Sequence, residues 1–212
     1  DITDFDVVAW MKAEMRMMLN EEIARSILVG DGRISSSDDK INEQNIRPIW
    51  TDADLYTIKT SHDIKGLSPE SAAKSFIKTA IKSRKNYKGS GEPILYTTED
   101  MLTEMLLIED TTGRVIYESL DKLKSQLRVK DIVTVPPMEG LTRVVDTKTM
   151  TLEGIIVNLV DYNIGADKGG AVNMFDDFDI DYNAQKYLIE TRCSGALVKP
   201  YSAIVIESFT SV

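Results

Sequence analysis

The sequence predicts an α+β protein built from one long helix, a compact α/β unit and a β-rich end. Three observations carry that prediction. Apolar residues recur at helical spacing over residues 4–29, helical and strand-like segments alternate over residues 68–160, and residues 161–207 read as extended segments around an Asp-rich turn. A length of 212 residues suits one or two domains with a substantial core.

In chain order, the first element is the longest helical signal. Val8, Met11, Met15 and Met18 recur at spacings of three and four and mark one apolar face, expected to lie on a long β-sheet. Trp10, Met17, Ala24 and Leu28 form a second stripe, which predicts contact on two sides. Thr3 with Asp6 resembles a capping pair, and Gly30 and Gly32 supply a stop. At about 1.5 Å per residue such a helix is roughly 40 Å long, a strut. Residues 31–48 are polar, rich in turn formers and end at Pro48, as a long excursion would.

Residues 68–87 begin Ser-Pro-Glu and carry Ala72, Phe76, Ala80 and Ile81, hence a helix. Residues 93–97 read as a buried strand, and 97–110 as a Thr-capped helix with Met101, Leu102, Met105, Leu106 and Ile108. A turn at 111–114 precedes a short helix at 118–127, and segments 131–136, 142–146 and 151–160 are β-rich. The later strands must return toward the first helix, so one unit is inserted into the other.

Charge and residue usage narrow the function classes. A net charge of −9 lacks the basic stripe of a dedicated nucleic-acid binder and fits plain solubility. Cys193 is the only cysteine, so no intrachain disulfide forms. With His62 the only histidine, multi-His metal sites and most His-based dyads lack material; beside Asp63 in a polar stretch, His62 reads as a surface residue. No apolar run spans a bilayer.

Individual motifs point away from catalysis. Residues 165–170 (GADKGG) lack the Gly-Lys-Ser/Thr of a phosphate loop and read as a β-turn. Residues 31–42 imitate a calcium loop, but Ser36 stands where a glycine is needed and Asn42 where a bidentate Glu is needed. Asp176, Asp177, Asp179 and Asp181 form the densest acidic cluster; it reads as a solvated loop between strands, with a lattice contact or a metal site as the alternatives. Cys193 reads as core packing and the nine Met residues as ordinary packing. No catalytic residues, cofactor-binding residues or metal ligands are assigned.

Three stretches in order resemble the major capsid proteins of tailed bacteriophages and prophages, the Hong Kong ninety-seven-type capsid fold shared with encapsulins. The helix closing on ILVGDGR (27–33) is similar to that family's spine helix. YTTEDMLTEMLLIEDTTGRVIY (96–117) is similar to its axial-domain helix and turn. VDYNIGADKGGAVNMFDDFDIDYNAQKYLIETRCSGALVKPYSAIVIE (160–207) is similar to its returning peripheral strands, with Arg192 central and a Ser194-Gly195-Ala196 step. The resemblance implies a peripheral domain from residues 1–45 and 170–195 and an inserted axial domain from 46–169 and 196–212. It implies self-assembly into pentamers and hexamers of an icosahedral shell around double-stranded DNA bound non-specifically. It further implies scaffold, portal and maturation protease as partners, no membrane, and a virion protein assembled in the bacterial host cytoplasm. The family's N-terminal arm and extended hairpin precede the spine helix and do not occur in residues 1–212, so the chain is expected to be a fragment that closes no shell by itself. Some family members crosslink a Lys to an Asn with help from a Glu; Asn183 and Glu190 fall near the matching strand, although most members do not crosslink. Arg192 is expected to be a structural charge. An encapsulin-type compartment shell is the alternative within the fold, and a metal-dependent enzyme using Asp176–Asp181 the alternative outside it.

Overall fold

The computed structural model describes residues 4–167 and 172–211, and the chain divides into two compact units. Unit 1 comprises residues 1–48 and 164–196; unit 2 comprises 49–163 and 197–212. The chain therefore crosses between units after Pro48, Asn163 and Ala196, where the sequence reading placed the crossings after residues 45, 169 and 195.

Unit 2 is a mixed sheet with helices on one face. Its strands are β1 (Thr57–Asp63), β2 (Ile94–Thr97), β3 (Asp131–Thr134), β4 (Thr142–Val145), β5 (Lys148–Val157) and β10 (Ala203–Phe209). The order is β1-β10-β5-β2-β3, with β4 on the first half of β5. β1 runs parallel to β10, and β5 is antiparallel to β10 and β2. The central strands β5 and β10 are buried along most of their length, which is why both read as near-continuous apolar runs.

Helices α2 (Pro69–Ser83), α3 (Glu99–Leu106) and α4 (Leu120–Leu127) complete this core. Ser68 caps α2 by accepting from the Ser71 amide, with Pro69 in the first turn, and Thr98 caps α3 by accepting from the Met101 amide. Ala73, Phe76, Ile77 and Ala80 of α2 pack with Leu95, Met105, Leu123, Leu127, Ile156, Ile204 and Ile206. Each fully buried large side chain contributes about 1.5–3 kcal/mol of burial. The turn at 111–114 is organised by Asp110, whose carboxylate accepts from the amides of Thr112 and Arg114.

A β-bulge sits at the centre of this sheet. Gly154 pairs with Ile206 but Leu152 with Glu207, leaving Glu153 as the extra residue of β5. Gly154 is required by close approach: a Cβ there would lie 2.8 Å from Phe76 Cζ and 3.2 Å from Leu95 Cδ1.

Unit 1 holds α1 (Asp4–Leu28), the hairpin β7 (Asn173–Asp179) and β8 (Ala184–Glu190), and most of the ribbon formed by β6 (Tyr162–Ala166) and β9 (Cys193–Leu197). Helix α1 ends where Val29 and Gly30 donate to the Arg25 carbonyl and Gly30 takes a φ of 88°. Lys12 lies 3.8 Å from Asp176 and stands over the Tyr187 ring, so α1 touches the hairpin on one side. The predicted second contact is not made by most of its stripe: Trp10 (67%), Met17 and Ala24 are exposed, although Leu28 is buried; on the first stripe Met18 is exposed as well. Thr3 of the expected Thr3–Asp6 cap and residues 168–170 of the turn expected at 165–170 lie outside the described residues; Gly165 and Ala166 belong to β6.

Candidate functional site

In unit 1, residues 29–48 form a loop built on one carboxylate. The Asp31 side chain is fully buried and accepts from Lys40 Nζ (2.8 Å) and from the amides of Ile41 (2.8 Å) and Arg33 (3.1 Å). Burial alone would push this carboxyl up. The Lys40 ammonium and the two amides outweigh that and hold it at about 2. Lys40 also pairs with Glu43, and Arg33 with Glu22 of α1 (2.7 Å each). Lys40 thus supplies the positive charge that a bound cation would supply in such a loop, with Asp31 and Glu43 as its acceptors.

Among the described residues unit 2 buries four carboxylates, Asp52, Glu153, Asp161 and Glu207, and the two glutamates meet basic side chains. Glu207 of β10 accepts a bidentate pair from Arg143 of β4 (2.6 and 2.7 Å) and a third hydrogen bond from Trp50 Nε1 (2.7 Å). Glu153, the bulge residue, lies 2.6 Å from Nε2 of His62. His62 is buried on β1, edge-on to Phe76, and is not the surface residue expected from its polar neighbours. Its partner lies 91 positions away, which local polarity cannot disclose. The sequence signal for these buried polar groups is a lone Glu in an apolar run, Glu153 in TLEGIIV and Glu207 in AIVIE.

At one edge of unit 2 an open groove of about 840 Å³ runs along β1. Its cations are Lys59, Lys85, Lys88 and Arg143, and its acids are Asp54 and Glu207. Lys59 is tied to Asp54 (2.9 Å) and Arg143 to Glu207, while Lys88 stands over the Tyr201 ring. Nearby, burial pushes the Tyr87 phenol up to about 12, with Asp161 adding to the effect, and burial lowers Arg84. None of these groups is arranged as a nucleophile with its base.

The Asp cluster does not converge. Asp176, Asp177 and Asp179 lie on β7 rather than in a loop, Asp176 and Asp177 on opposite faces, and Asp181 follows in the turn. Asp176 faces Lys12, and Asp179 forms an ion pair with Lys186. Among the described residues no group of three or more His, Cys, Asp or Glu is placed to hold a metal ion. Asn183, in the turn with a φ of 47°, and Glu190, at the far end of β8, are not brought together. Arg192 is not central to a strand: it is exposed in the link between β8 and β9, and among the described residues its side chain makes no ion pair. Cys193 opens β9, free and half-buried. Among the described residues no helix is long and apolar enough to cross a membrane.

Unit 1 leaves large apolar side chains in solvent: Trp10 and Met18 on α1, Phe175 and Phe178 on β7, and Ile180 (83%) and Tyr182 (81%) in the turn.

No family model matches this sequence, and no curated protein matches it. Solved structures do. The capsid of an empty GTA particle matches over 100% of this chain and 69% of its own, at 11% identity and a TM-score of 0.60. A chain from Gordonia phage Cozz matches over 99% of this chain and 66% of its own, at 12% identity and a TM-score of 0.58. The chain thus spans about two thirds of the length of each of these structures. Its mixed helix-and-sheet architecture is that of the phage capsid fold.

Proposed function

We propose that this chain is a structural subunit, a phage or prophage major capsid protein whose working partner is another copy of itself. The observation that carries the reading is the likeness of essentially the whole chain to a capsid subunit, in two units rather than one. The large apolar side chains that unit 1 leaves in solvent are consistent with it, because burying them against another copy would be favourable. In this reading unit 1 is the peripheral domain and unit 2 the axial domain of pentamers and hexamers in an icosahedral shell. The role is to hold position in a lattice and not to turn over a substrate. Scaffold, portal and maturation protease are transient partners, and the packaged double-stranded DNA touches an acidic wall without sequence preference. Assembly takes place in the bacterial host cytoplasm and the product is the virion.

Electron microscopy of the full-length gene product tests the proposal. Closed shells are expected. A product that stays unassembled at high concentration, or shells that enclose a protein cargo as an encapsulin-type compartment does, would refute it.

A further inference from the structure

The groove along β1 lies at an open edge of the sheet of unit 2. Strand β1 is the last strand of its sheet: β10 pairs with one side, and no described strand pairs with the other. The outward Thr57 amide already donates to the Ala53 carbonyl; the outward backbone groups from Lys59 onward meet no described strand and can pair with an added one. The groove follows that edge from Thr57 to Ser61 and is lined from both faces of the sheet. Ile58 packs on the helical side, where Lys85 and Lys88 follow the end of α2. Lys59 and Arg143 lie toward the opposite side, with Glu207. Asp54 and Glu207 neutralise Lys59 and Arg143, while among the described residues Lys85 and Lys88 meet no carboxylate. The free edge of an acidic protein thus carries two uncompensated positive charges.

We propose that this edge receives strand β7 of a second copy, extending the sheet across the subunit boundary. Three features of β7 fit the groove. It has seven residues, as β1 does. It belongs to a two-stranded sheet, so one of its edges is also open among the described residues. Its exposed Asp177, and Asp181 in the following turn, meet no cation among the described residues, whereas Asp176 and Asp179 are already paired. Backbone pairing supplies attraction, and Lys85 and Lys88 against Asp177 and Asp181 set direction and register. The inference rests on the reading of the chain as a self-associating subunit and names one contact of that association.

The test uses sedimentation velocity of the 212-residue chain at concentrations up to about 100 µM, the range in which weak contacts populate. Lys85→Glu with Lys88→Glu is expected to weaken association by at least about tenfold, as is Asp177→Lys with Asp181→Lys. An equimolar mixture of the two double variants restores opposite charges across the contact and should recover association. All four positions are exposed, and circular dichroism of each variant checks that folding is unchanged. Unchanged association in either double variant, or no recovery in the mixture, overturns the contact; the lysines then only guard an open edge. A wild-type chain that stays monomeric over this range also overturns it, while shells formed by the full-length product would still uphold the capsid reading.

Discussion

Replacing Asp31 by Asn removes the anion around which residues 29–48 are folded. The magnitude follows from the carboxyl's own titration. Its ordinary value of 3.8 falls to about 2 in the folded loop, a difference of nearly two units. At about 1.4 kcal/mol per unit, the charged form stabilises this region by about 2 kcal/mol at neutral pH. A depressed folded value means that the stabilisation is complete above the unfolded value of 3.8 and disappears as the pH falls through about 2. The Asn variant should therefore lose about 2 kcal/mol at pH 7 and be less sensitive to acid between pH 4 and pH 2 than the wild type. Its amide also turns a donor toward either the Lys40 ammonium or the Ile41 amide, which adds to the loss. Because the chain has two units, a single global melting curve is a poor reporter. Hydrogen exchange of peptides spanning residues 29–48 isolates the effect, with roughly thirtyfold faster exchange expected for 2 kcal/mol. Wild-type protection in the Asn variant at pH 7 would mean that the buried carboxylate does not hold this loop.

Two further substitutions probe unit 2. Glu207→Ala leaves the Arg143 guanidinium and the Trp50 N–H without their shared acceptor and should cost about 3 kcal/mol by denaturant unfolding, near the lower end for a broken buried pair because Arg143 is partly open to water. Gly154→Ala should cost about 1–3 kcal/mol through the clash of its Cβ with Phe76, and Phe76→Leu in the same chain should recover part of that loss; additive losses in the double variant would show that the ring is not the obstacle.

The sequence alone determined the helices and the buried strands. The Ser68-Pro69 and Thr98 caps lie in the chain next to the groups they satisfy, and helical spacing in α2 and the apolar runs of β5 and β10 report burial directly. Gly30 likewise marks the end of α1 locally, by a conformation that other residues resist. Only the tertiary structure decided β1. Its sequence TIKTSHD has no apolar alternation, and it becomes a strand because β10, some 150 positions away, offers a parallel edge. His62 is buried for the same reason: Glu153 reaches it from a bulge that exists only once β5 and β10 are in register. The separation of Asp176 from Asp177 also waited on the fold, since a run of acids has no faces until its backbone is extended. Local chemistry is legible wherever a residue and its partner are neighbours in the chain, and an open strand edge flanked by unpaired lysines has no such neighbour to reveal it.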